Sequence, residues 1–171
     1  MMRSTIAPLL GAMVAAFLAA AAQAQTATAT LTPTAGNTAA GTVTFTQTGD
    51  KMTVSAKVTG LAPGGHGFHI HEKGDCSAPD AMSAGGHFNP TGLHHGRPDS
   101  ADHHAGDMPM LQADASGTAT LTTDLKGLAI GSGATDIVGK SVIVHKDLDD
   151  YTTQPTGNSG SRVACGIINK S

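Results

Sequence analysis

The sequence predicts an all-β domain: eight antiparallel strands wrapped as a flattened barrel or sandwich, with two long functional loops. Three observations carry that prediction. Apolar and polar residues alternate with period two in several short runs, which puts them on opposite faces of half-buried strands. Gly and Pro are plentiful, with 22 and 8 residues, and supply the turns that many short strands need. Charged residues make up only 13% of the chain and Glu72 is its one glutamate, so the Glu, Lys and Arg on which helical bundles and coiled coils rely are missing.

The elements follow in chain order. Residues 1–24 read as a secretory signal peptide, with Arg3, an apolar stretch from Ile6 to Ala22 and the small-x-small run Ala22-Gln23-Ala24. An uncleaved anchor is the rival reading, but the stretch is built of Ala rather than Leu and ends in a cleavage pattern. The folded domain is therefore expected over 25–171. Seven of the eight strands can be placed, near 26–32, 42–46, 51–59, 66–72, 117–123, 138–145 and 162–168. The clearest pair is a hairpin: Val43 and Phe45 alternate with Thr42, Thr44 and Thr46, and after a Gly49-Asp50 turn Met52, Val54, Ala56 and Val58 alternate with Lys51, Thr53, Ser55, Lys57 and Thr59. With four Phe, one Tyr and no Trp, the core must be built mainly from Val, Ile, Leu, Met and Ala. Two stretches break the rhythm, 73–107 and 146–161. The first holds nine Gly and Pro residues and five of the nine histidines; a polar loop of that length inside a domain is usually functional or disordered.

Composition also narrows the partners. A net charge of −3 without a basic run argues against nucleic acid, and so few aromatics leave no base-stacking platform. No segment after the signal is long and apolar enough to span a bilayer, so no membrane partner is expected once it is removed. The two cysteines, Cys76 and Cys165, form an even pair far apart in an exported chain. That points to a disulfide, with a pair of thiolate metal ligands as the rival.

The histidines are grouped. In Gly67-Phe68-His69-Ile70-His71 the strand period points Phe68 and Ile70 into the core and His69 with His71 out together, where both can reach one ion. Gly85-Gly86-His87-Phe88-Asn89-Pro90, His94-His95-Gly96-Arg97-Pro98 and His103-His104-Ala105-Gly106-Asp107 follow, and Val142-Ile143-Val144-His145 ends a strand on a histidine. A solvated His-rich loop is the bland reading. The whole set, lying in or beside Gly-rich turns, favours a metal site, and imidazole with carboxylate suits zinc and copper.

Taken together, G-F-H-I-H, G-G-H-F-N-P, H-G-x-P, H-x-G-D and G-S-R-V-A-C-G resemble the Cu/Zn superoxide dismutases, in order and spacing, from about Gly41 to Ile168. The resemblance implies a Greek-key barrel with one copper and one zinc per subunit. It implies His69, His71, His87 and His145 as copper ligands and His87, His95, His104 and Asp107 as zinc ligands, His87 bridging the two ions. It places Arg162 beside the copper as the group that holds the superoxide anion, and Asp149 behind His69 and His95 as the carboxylate that orients them. Cys76 and Cys165 match the family's intrasubunit disulfide. The implied reaction is the disproportionation of superoxide to O2 and H2O2, with copper cycling between two states and His87 taking a proton when copper is reduced. Zinc orders the loop.

One departure concerns steering. Many eukaryotic relatives carry a guiding lysine where this chain has Pro155, and Lys73 or Lys146 are the cations left to supply that charge. His66, His94 and His103 have no implied partner and read as solvated loop residues, and Met108 and Met110 read as packing rather than a copper relay. A non-catalytic copper and zinc carrier or store on the same fold is the alternative function, disfavoured because every ligand position and Arg162 are filled. The expected compartment is the periplasm, with secretion second. A homodimer is left open, since relatives dimerise through different surfaces and some are monomers.

Overall fold

The computed structural model describes residues 23–171, so the predicted signal peptide lies almost wholly outside the described residues. Within them the chain forms nine strands: β1 (Gln25–Pro33), β2 (Ala40–Thr48), β3 (Lys51–Thr59), β4 (Gly64–His66), β5 (Phe68–His71), β6 (Leu111–Ala113), β7 (Ala119–Lys126), β8 (Ser141–His145) and β9 (Arg162–Lys170). A single 3-10 turn at Met82–Ala84 is the one helical element among them, and no helix among the described residues is long and apolar enough to cross a membrane.

All strand pairs are antiparallel, in the order β4-β6-β7-β3-β2-β1-β9-β8-β5. The two ends of that order, β4 and β5, are consecutive in sequence and separated only by Gly67. The sheet therefore rolls up until one segment, 64–71, serves both edges: β4 pairs with β6 while β5 pairs with β8. This nearly closes the barrel and leaves little free edge. It also explains the count of nine against the eight expected. The run predicted as one strand at 66–72 is two strands, because at Gly67 the chain leaves one edge for the other. Counted as one, 64–71 brings the total back to eight. The other surprise is β6, three residues long and too short to show alternation.

Inside the barrel the alternation is realised as predicted. The inward partners Val43↔Ala56 and Phe45↔Val54 face each other across β2 and β3. They join Leu31, Met52, Val58, Phe68, Ile70, Leu111, Ile137, Val142, Val144 and Ile168 in one buried cluster, where each large side chain contributes about 1.5–3 kcal/mol by leaving water. The outward residues of β1, β2 and β3 are mostly Thr, Ser and Lys and stay wet or half-buried. On β5 and β8 both faces are buried. Their outer face is roofed by loop 72–110, whose Ala81 and Ala84 pack with Ile143 and Cys165 in a second small cluster. The histidines that the strand period points outward thus lie under a loop rather than in solvent.

Candidate metal centre

Backbone ties set loop 72–110 against β5. Ile70 N donates to Gly106 O and Phe88 N to Ile70 O, each at 2.8 Å, and Gly106 N donates to Phe88 O at 2.9 Å. Isolated bridges pair His71 with His87 and His69 with Asp107. A Cβ at Gly106 would overlap the Ile70 carbonyl, so only glycine permits this approach. The loop is fastened further by a disulfide between Cys76 and Cys165, 89 residues apart in sequence with Cα atoms at 5.8 Å. On the other side, a register shift at Val144/His145 leaves His145 paired with Arg162; such irregularities re-aim side chains at a strand end.

Four imidazoles meet at the end of β5 and β8. His69, His71, His87 and His145 are buried and each offers a ring nitrogen within 4.8 Å of the others. The outer nitrogens fix the tautomers. His71 Nδ1 donates to Gly85 O at 3.0 Å, His145 Nδ1 to Gly160 O at 3.3 Å, and His69 Nε2 to Asp149 Oδ2 at 2.7 Å. In the neutral ring the remaining nitrogen then carries a bare lone pair. His71 Nε2 and His145 Nε2 face each other at 3.4 Å, while His69 Nδ1 and His87 Nε2 are buried without any partner. Lone pairs converging in a buried space repel one another unless a cation lies between them. That is a metal-binding arrangement, and the carbonyls and carboxylate behind it are what such ligands require.

A second group stands beside the first. Asp107 Oδ1 lies 3.1 Å from His87 Nδ1, 3.0 Å from His95 Nδ1 and 3.5 Å from His104 Nδ1, and the last is 3.3 Å from His87 Nδ1. A tetrahedral zinc with ligands at about 2.0–2.1 Å would set its ligand atoms about 3.3 Å apart, so these spacings fit one ion. Asp107 Oδ2 is held by the backbone N–H groups of Gly96 and His104 at 3.1 and 2.8 Å. By distance His69 also stands within 4.8 Å of His87, His95 and Asp107, while His104 joins them through the Nδ1 contacts of 3.3 Å to His87 and 3.5 Å to Asp107. His87 belongs to both groups, with Nδ1 toward Asp107 and Nε2 toward the first set.

Asp149 joins the two. It is buried and accepts from His69 Nε2 at 2.7 Å, from His95 Nε2 at 2.9 Å and from Tyr151 N at 2.8 Å. A Cβ on Gly157 would overlap Asp149 and the His95 ring, so a glycine with φ of 66° closes the second loop over the carboxylate. Gln154 braces His95 from both sides, its Oε1 accepting from His95 N and its Nε2 donating to His95 O, each at 2.8 Å.

Protonation follows from these surroundings. Burial holds His69 below its ordinary value, and burial with neighbouring imidazoles holds His71 and His145 well below it. Burial lowers His87 to about 4 in spite of Asp107. In His95 burial is outweighed by hydrogen bonds and charge from Asp107 and Asp149, raising it to about 9. Burial alone would raise both carboxyls, but hydrogen bonds from the surrounding histidines keep Asp107 and Asp149 well below the usual carboxylate range. The first set is thus neutral, and the carboxylates that face the rings are charged.

Arg162 stands half-buried at the start of β9, its Nη1 donating to Ala81 O at 2.7 Å and its Nη2 to Gly85 O at 2.6 Å. It lines a cavity of about 550 Å³ together with His145. Neither Lys73 nor Lys146 lines that cavity. Lys146 lines a neighbouring one and Lys73 another, beside Glu72 and Lys140.

Every residue expected at the site is brought together here, and in each adjacent pair the second histidine is inside while His94 stays on the surface with Asp102. His103 Nδ1 donates to Ser100 O at 2.8 Å and Met108 is buried in the core. His66 corrects the sequence reading: it is a buried residue at the end of β4, with Nδ1 2.8 Å from His145 O and Nε2 2.8 Å from Ala62 O. The barrel closure at Gly67 draws it behind His145, which no local pattern reveals. Gln154 was missed for the same kind of reason, since its partner is 59 residues away.

Residues 39–168 match the family model described as copper/zinc superoxide dismutase. The chain is also similar to the extracellular superoxide dismutase [Cu-Zn] of Caenorhabditis elegans, at 46% identity over 134 residues, covering 75% of this chain. It spans 60% of the length of that relative.

Proposed function

Because the chain belongs to the copper/zinc superoxide dismutase family, we propose that it is itself a superoxide dismutase, exported and working in the periplasm. Supporting export are the signal-like N-terminus, the Cys76–Cys165 disulfide and a relative named extracellular. The observation that carries the activity is the pair of donor sets sharing His87, with Arg162 on the wall of the cavity over His145. In this proposal His69, His71, His87 and His145 hold copper, and His87, His95, His104 and Asp107 hold zinc. When bound, copper supplies the one-electron chemistry that disproportionation needs, and zinc a fixed positive charge.

The residues do the rest. Arg162, immobilised by two carbonyls, keeps its other N–H groups free to bind an anion beside His145. His87 Nε2 is the buried ring nitrogen that takes up a proton in one half of the cycle and returns it in the other. The outer N–H groups of His69, His71 and His145 are already committed. Asp149 and the carbonyls of Gly85 and Gly160 keep the rings from turning, so little reorganisation accompanies the change of charge. Two superoxide anions and two protons become one dioxygen and one hydrogen peroxide. The test is superoxide consumption by protein loaded with one copper and one zinc, beside a His145→Ala control. Rapid consumption, lost in the control, supports the proposal. Tight binding of both metals without dismutation overturns it in favour of a carrier or store.

A further inference from the structure

The cavity over His145 carries two charged side chains of opposite sign, Arg162 and Asp80, and no lysine. Asp80 is exposed on the loop that the disulfide ties down, immediately before Ala81, whose carbonyl accepts from Arg162 Nη1. Its Oδ1 accepts from Met82 N at 3.0 Å, and this local turn keeps the carboxylate at the rim. Burial lowers Arg162 from its ordinary value, and the charge of Asp80 offsets part of that lowering. Lys146 opens on a different cavity, Asp147 packs behind Gly160 of the cavity wall, and Glu72 packs against Gly85. A small anion approaching from water therefore meets Asp80 and Arg162 at once, and the carboxylate offsets part of the attraction that the guanidinium exerts at the mouth.

We propose that Asp80 limits anion access to this pocket by weakening the attraction of Arg162 at its mouth. Naming superoxide as that anion rests on the dismutase reading; the charge argument does not. The experiment uses the protein loaded with copper and zinc, with D80N and D80K variants. Asn retains the oxygen that accepts from Met82 N, so the turn survives. Two readouts are taken across ionic strength: the second-order rate of superoxide decay, and affinity for azide followed by the copper absorption bands. One unit charge acting across less than a Debye length in water changes either quantity about two- to threefold. D80N should show that gain at low salt and D80K a larger one. Both gains over the wild type should shrink as salt rises. Equal rates and equal azide affinities for wild type and D80N overturn the proposal, as does a difference that persists when salt has shortened the Debye length to about 3 Å. If the wild type consumes no superoxide, the dismutase reading fails and azide affinity alone decides the role of Asp80.

Discussion

Replacing Asp149 by Asn should weaken the copper set more than the zinc set, although the side chain hydrogen-bonds a histidine of each. The carboxylate has two acceptor oxygens. Oδ1 takes N–H groups from His95 and Tyr151, at 2.9 and 2.8 Å, and Oδ2 takes one from His69 at 2.7 Å. An amide of the same shape has one acceptor and one donor. Its oxygen will settle where two donors need it, facing His95 and Tyr151, which leaves the NH2 facing His69. His69 can answer only by moving its proton to Nδ1, which then points into the donor set where a lone pair is needed. Loss of such an outer partner costs about 10- to 100-fold in metal affinity, or about 1.4–2.8 kcal/mol. Competition titrations with a chelator, copper and zinc separately, would measure the two losses. Ring-nitrogen NMR of the metal-free protein would report the His69 tautomer. A larger loss at zinc, or an unchanged His69 tautomer with reduced copper affinity, would refute the reasoning.

Four further outcomes follow from the same geometry. Arg162→Ala should leave both metals bound, because the guanidinium touches only carbonyls, and lower superoxide consumption by about tenfold or more; equal rates would remove it from the mechanism. Cys76→Ser should lower stability to denaturant by about 2–5 kcal/mol and also slow the reaction, since Ala81 and Gly85 then lose their anchor; a purely stability effect would separate the loop from Arg162. His95→Ala should abolish zinc binding while His94→Ala changes it within a factor of two or so, the exposed residue being about ±0.5 kcal/mol neutral; the reverse would mean that the pair is read in the wrong register. For the metal-free protein, thermal stability should peak near pH 6.5. His71, His87 and His145 have folded values below their unfolded one, so their contribution is present above pH 6.5 and is lost as pH falls, for His87 through about 4. His95, raised to about 9, contributes fully below 6.5 and loses its contribution as pH rises to 9. A midpoint that rises steadily from pH 5 to 9 would contradict the charge states assigned here.

What the sequence made legible was what short periods encode. The alternation in 42–59 specifies the β2–β3 hairpin, and the same rule places Phe68 and Ile70 inside with His69 and His71 on the other face. Motif strings carried the ligand expectations because each donor sits at a fixed offset from a glycine or aspartate that sets the local turn. What stayed hidden depends on contacts far apart in the chain. Gly67 looks like any glycine before a strand, yet it is where the barrel closes. His66 sits one residue earlier and is drawn behind His145, 79 residues on. The charge of the mouth was equally unreadable: Lys73 and Lys146 are cations by sequence, and only the fold sends them to other surfaces.

The division of labour between barrel and loops explains why the two donor sets should respond differently to metal loss. His69, His71 and His145 project from β5 and β8, strands whose inner faces are held by Phe68, Ile70, Val142 and Val144 in the core. Their positions are set by the hydrophobic burial of the barrel, which does not depend on an ion. His95, His104 and Asp107 lie on loop 72–110, which buries few large apolar side chains and is held by single backbone bonds, the disulfide and the carboxylates themselves. A loop with so little burial gains its order from charge-assisted contacts, and an ion among the three Nδ1 atoms and Asp107 would replace the hydrogen bonds between those groups with four metal–ligand bonds. In the proposed assignment the zinc set is therefore coupled to loop order and the copper set to strand order. His87, the residue common to both, lies on the loop and reaches the copper set only while loop 72–110 stays docked against β5 through Gly106 and Phe88. In the proposed assignment His95, His104 and Asp107 thereby help to assemble a copper set of which they are not part.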